Sequence, residues 1–102
     1  METVVINGVT YAPVMNNDNP AKIVVLQRGW VVAGILSTDD KTGNYILSNS
    51  CVIRKWGTTK GLPELTKKPL KDTVLDKCDT VMHFHPLSVV LMIDIDKTGW
   101  NL

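Results

Sequence analysis

The sequence predicts a mainly β domain: a small SH3-like or OB-like antiparallel barrel or a compact sandwich, with one short helix, preceded by an N-terminal β-hairpin. Three observations predict it. Short runs rich in valine and isoleucine recur between clusters of turn residues, helical periodicity is almost absent, and 102 residues suffice for one core but not two. Apolar residues make up 44% of the chain and charged residues 21%, a globular balance that excludes a disordered chain. The formal net charge is only +1, with both signs interleaved, so the whole molecule is not built electrostatically for nucleic acid.

Taken in order, residues 3–11 set β-branched runs on either side of Asn7-Gly8, a pair suited to the positive φ angles of a type I′ hairpin turn. Pro13 closes this unit, so residues 1–14 form the expected hairpin, 15–21 a polar linker and 22–102 the barrel, all one folding unit. Residues 23–26 and 30–36 flank Gln27-Arg28-Gly29 and read as antiparallel strands, with Gly34 marking a bulge or bend. After a turn at residues 39–44, a strand from Tyr45 runs towards Trp56, with a break expected at residues 48–50.

Beyond Trp56 the pattern changes. Gly57 and Gly61 bracket a polar loop, Pro63 suits the first position of a helix, Glu64 favours a helix N-terminus, and Pro69 keeps any helix short. Strand-like runs return at residues 80–85 and 87–95, separated by a bend at Pro86. Strict alternation in the last run gives one apolar face, Leu87, Val89, Leu91, Ile93 and Ile95, and a second that is half apolar. Residues 30–36 are apolar on both faces as well, which a chain this small struggles to cover, so a homo-oligomer is expected, with a well-closed monomeric barrel as the alternative.

The stretch that stands out chemically is RKWGTTKG, residues 54–61. Alternation sets Arg54 and Trp56 on one face, glycine at positions 57 and 61 allows close backbone approach, Thr58 and Thr59 add hydroxyls, and Lys60 adds positive charge. An indole to stack on a base beside donors for a phosphate suits an anionic, nucleotide-like ligand, so Arg54, Trp56, Gly57, Thr58, Thr59, Lys60 and Gly61 are the candidate binding residues. The spacing is not that of a P-loop, and a glycine-lysine-glycine turn with Trp56 capping the core is the competing explanation.

His83 and His85, two apart on a strand, share a face and are weak metal candidates, because no glutamate follows and Cys51 and Cys78 form no CxxC pair. The same two cysteines lie far apart in a chain with no signal-peptide pattern, which predicts reduced thiols in a cytoplasm. No nucleophile–base pair is written locally, so neither catalysis nor a cofactor is expected, and Asp94 with Asp96 reads as a solvated strand end. The longest apolar stretch, residues 87–95, is shorter than the roughly 18 residues of a membrane helix, and no membrane role is expected.

Taken together, the QRGWVVAG strand, the CVIRKWGTTKGLPEL segment and the VMHFHPLSVVLMID tail resemble a group of small bacteriophage proteins with an Ile-Arg-x-Trp-Gly segment before a short turn of helix. The resemblance covers residues 22–96 and leaves the Asn-Gly hairpin outside it. It implies a phage origin, action in the cytoplasm of an infected bacterium, and no catalytic residues to carry over. By analogy with small counter-defence proteins, the expectation is a non-enzymatic binder that sequesters a nucleotide-like signal. The alternatives are a module that inhibits a host enzyme through a sheet face or edge, and, less favoured, a nucleic-acid-binding barrel using Arg28, Arg54, Lys55 and Lys60.

Overall fold

The computed structural model describes Val5–Ile6, Val9–Thr10 and residues 19–102. The first two pieces are strands β1 (Val5–Ile6) and β2 (Val9–Thr10), paired antiparallel with Ile6 opposite Val9, as a hairpin with a two-residue connection requires. The Asn7-Gly8 turn itself and the linker through Asp18 lie outside the described residues. The body starts with β3 (Ala21–Leu26), so its first strand begins one residue inside the expected linker boundary.

Five further strands follow: β4 (Val31–Thr38), β5 (Tyr45–Lys55), β6 (Val74–Lys77), β7 (Met82–Phe84) and β8 (Val89–Asp94). With β3 they make one six-stranded sheet in the order β6-β5-β4-β3-β8, every pairing antiparallel, while β7 pairs with the first half of β5. The mainly β fold class therefore holds, and this arrangement is compatible with a small barrel or sandwich. Short 3₁₀ turns lie at Gln27–Gly29, Leu62–Leu65 and Pro86–Ser88. In the second of these, the expected short helix, Leu62 holds the first position and Pro63 the next.

β3 and β4 lie inside the sheet, which explains why their sequences are continuous apolar runs rather than alternating ones. Ile23, Val31, Ala33, Cys51 and Ile53 pack on one side with Leu62, Leu65 and Trp100. Val24, Val32 and Leu47 form the core of the other side, flanked by Met82, Phe84 and Met92. Within a single chain Val31, Val32 and Ala33 are thus buried on both faces of β4, Ile35 and Leu36 are half-buried, and Trp30 just before the strand is exposed. Trp100 closes the first side: it is buried, and its indole N–H donates to the Leu65 carbonyl at 2.7 Å.

Bulges reset the alternation at three places. Ala33 pairs with Cys51 but Ile35 with Ser48, so Gly34 faces two residues, and Asn49 takes φ 48° to fit the extra one. A Cβ on Gly34 would lie 2.8 Å from Leu47 Cγ and 2.9 Å from Ser50 Cβ, so only glycine permits that approach. The expected break at residues 48–50 is therefore a bulge in one continuous strand. A second register shift lies between Ile53 and Lys55, and a third leaves Val90 between the pairs Val25–Leu91 and Leu26–Val89. The third one overturns strict alternation in β8: Val89 packs with Met92 on one side of the sheet, while Ile93 and Ile95 pack on the other.

Candidate functional site

The loop after β5 is held by the chain's own groups. Glu64 reaches back from the 3₁₀ turn and accepts from the Thr59 amide at 3.3 Å, the Thr59 hydroxyl at 3.1 Å and the Lys60 amide at 2.7 Å. Those amides do form an anion cradle, and the anion seated in it is Glu64. The Glu64 amide in turn donates to the Gly61 carbonyl at 3.1 Å, so it is not aimed at solvent either.

The remaining candidates divide in the same way. Gly57 has φ 68°, and a Cβ there would fall 2.3 Å from the Asp72 carbonyl carbon, so the close approach it allows is to the backbone at Asp72 and Thr73. Thr73 fastens this crossing, its hydroxyl donating to the Trp56 carbonyl at 2.6 Å and accepting from the Leu70 amide at 3.0 Å. Arg54 turns its guanidinium to Asp76 on the neighbouring strand, at 2.8 Å between Nε and Oδ2. The register shift beside Arg54 interrupts the two-residue repeat that was to bring it beside Trp56. Trp56 is 41% exposed and is not the plug of the core; Leu62, Leu65 and Trp100 are. Thr59 and Lys60 are exposed, and Thr58 and Gly61 are half-buried.

His83 and His85 are both exposed, and His85 serves the backbone: its Nδ1 accepts from the Leu87 amide at 3.0 Å and caps the 3₁₀ turn at Pro86–Ser88. Among the described residues no three histidine, cysteine or acidic side chains gather as a metal site would need. Asp94 pairs with Lys22 across the β3–β8 ladder, and Asp96 accepts from the Thr98 amide at 3.2 Å, so the two carboxylates serve separate structural ends. Cys51 and Cys78 are both free thiols. Cys51 sits opposite Lys77, which places Cys78 opposite Ser50, one residue along the alternating strand. The two sulfurs therefore leave opposite sides of the sheet and cannot bridge.

A different region has open valences. β8 ends the sheet order and, among the described residues, pairs with β3 alone. Around it Leu87 is 79% exposed, Val90 61% and Leu91 46%, and Trp30, just before β4, is exposed too. The bulge at Val90 interrupts the outer edge there, so the regular stretch it offers runs from Leu91 to Asp94. Sequence reading placed these residues on an apolar strand and missed that the strand lies at the edge. An aliphatic run carries no mark of its place in a sheet, so the residues themselves held no signal for it.

Among the described residues no helix is long and apolar enough to cross a membrane. Comparison with protein-family models, with curated proteins and with solved structures finds no match to this chain.

Proposed function

We propose that this chain is a non-enzymatic protein-interaction module that takes up a strand of a partner protein along the outer edge of β8. The observation that carries the reading is the edge itself: from Leu91 to Asp94 its outer ladder has no pairing strand among the described residues, and Leu87, Val90 and Leu91 beside it are exposed. An added strand would satisfy the backbone groups of that ladder, and the apolar side chains beside it would supply the buried area. The resemblance to phage proteins makes the partner a bacterial host protein and the setting the host cytoplasm; inhibition of a host enzyme is the form of action it suggests. Self-association through the same edge would give the expected homo-oligomer.

A pull-down from bacterial lysate tests the reading, comparing the unaltered chain with a Val90→Lys/Leu91→Lys variant. Stoichiometric recovery of a protein by the first and not by the second supports strand addition at β8. Equal recovery by both places the interface elsewhere, and a concentration-dependent dimer lost in the variant makes the partner a second copy.

A second reading keeps the nucleotide-like ligand at residues 54–61, favoured by the exposure of both Trp56 and Lys60 in that stretch. In that reading the indole stacks on a base and Lys60 meets a phosphate. Calorimetry against cyclic and linear nucleotides with a Trp56→Ala/Lys60→Ala variant decides it, since an affinity for no member, or one unchanged by the double substitution, removes the site.

A further inference from the structure

The two cysteines meet opposite environments. Cys51 is buried in the core, and desolvation raises its thiol above the ordinary range. Cys78 lies just past the end of β6 and is part-exposed. A hydrogen bond with the Thr80 backbone, and then one with the Thr80 hydroxyl at 3.8 Å from the sulfur, holds its thiol below that range. A lowered value alone would mark nothing, because many surface thiols sit near a hydroxyl.

The second observation is Ser50. Its side chain is 0% exposed, and its hydroxyl is a buried polar atom with no hydrogen-bond partner. Leaving a buried hydroxyl unpaired is unfavourable, so an orphan of this kind calls for a reason. The Cys78 amide donates to the Ser50 carbonyl at 2.9 Å, which makes the two residues direct cross-strand partners with side chains on the same side of the sheet. Gly34 lies against the other flank of Ser50 and offers no polar side chain. The hydroxyl is near enough to the sulfur to favour its thiolate, but in the reduced protein the geometry falls short of a hydrogen bond. An atom added to the sulfur would meet it.

We propose that Cys78 is a peroxide-reactive modification site whose sulfenic acid is held by the hydroxyls of Ser50 and Thr80. In the reaction the Cys78 thiolate attacks one oxygen of a hydroperoxide. The S–O bond forms as the O–O bond breaks, the sulfur loses two electrons, and the peroxide leaves as water (or an alcohol) after taking up a proton. The new oxygen carries the acceptor that the Ser50 hydroxyl lacks. Cys51 cannot resolve the product as a disulfide, because it points to the opposite side of the sheet, so the sulfenic acid persists rather than being consumed within the chain.

The test treats the reduced full chain with hydrogen peroxide and traps sulfenic acid with a cyclic 1,3-dicarbonyl, read by intact mass and peptide mapping. One adduct is expected, on Cys78 and not on Cys51, and none in Cys78→Ser. Ser50→Ala, which removes an unpaired hydroxyl and leaves the fold intact, is expected to shorten the lifetime of the trapped species by about three- to ten-fold, the worth of one ordinary hydrogen bond. Thr80→Ala, at an exposed position, is expected to move the pH midpoint of Cys78 alkylation upward. Equal labelling of the two cysteines, or an unchanged lifetime in Ser50→Ala, overturns the proposal.

Discussion

The loop from Gly57 to Gly61 and the edge strand β8 reverse the roles their sequences suggest. The loop has the residue types of a ligand site, yet its Thr59 and Lys60 amides are committed to Glu64, while on its flanks Asp76 holds Arg54 and Thr73 ties Trp56 to the next crossing. β8 has the plain aliphatic composition of a core strand, yet it ends the sheet and leaves Val90 and Leu91 exposed. Glycine, threonine and lysine at close spacing signify that backbone amides will meet an anion, and a carboxylate four residues on is the nearest anion available. An aliphatic run signifies only that a strand forms, and where it lies in the sheet decides whether both sides of its ladder are used.

Substitutions at the two regions should therefore separate stability from binding. The largest loss is expected at Leu65, which is fully buried beneath the loop and carries the carbonyl that Trp100 uses. Leu65→Ala should cost about 2–5 kcal/mol in denaturant unfolding, and a cost below that range would mean the loop is not a structural closure. Next comes Gly57→Ala, where strain at a left-handed backbone position is about 1–3 kcal/mol and the contact with Asp72 adds to it. Unfolding by heat or urea measures this directly, and a neutral result would show that the crossing at Asp72 yields easily.

A smaller effect, about 1 kcal/mol, is expected for Glu64→Gln, comparable to loss of a helix N-cap. This variant also sharpens the comparison, because it vacates the negative charge from the cradle. If the loop serves an external phosphate, nucleotide affinity should rise; if it is structural, calorimetry should register no gain. The least effect on stability is expected for Leu91→Lys, within about 0.5 kcal/mol as at other exposed positions, while partner recovery is lost. A large destabilisation there would mean that β8 contributes to the core more than its exposure implies.

Much of the fold is legible in the residues. The runs at 23–26 and 30–36 become β3 and β4, the turn residues between them take positive φ at Arg28 and Gly29, and Gly34 marks a bulge as its position in a strand implies. The bulge at Val90 was not legible, since nothing in a run of valine, leucine and methionine announces an extra residue, and the faces of β8 come out differently because of it. Nor was the place of Trp100. A tryptophan near a chain end reads equally as free or docked, and only the approach of the C-terminal turn to Leu65 puts it in the core. At the candidate site the residue types were legible and their partners were not: Glu64 was visible as a helix-start acid, while its reach back to Thr59 and Lys60 depends on how tightly the loop closes.

By itself the sequence determined what is local: which segments become strands, where glycine must stand, and that one short turn of helix follows Trp56. Steric limits on φ and ψ and the two-residue repeat of a strand act over a few neighbours, so they can be read from neighbours. Only the tertiary structure decided the order of the strands, the edge position of β8, the partnership of Ser50 with Cys78 and the internal occupant of the glycine loop. Those depend on which groups far apart in sequence satisfy one another first, and a polar group already satisfied within the fold is no longer offered to a ligand.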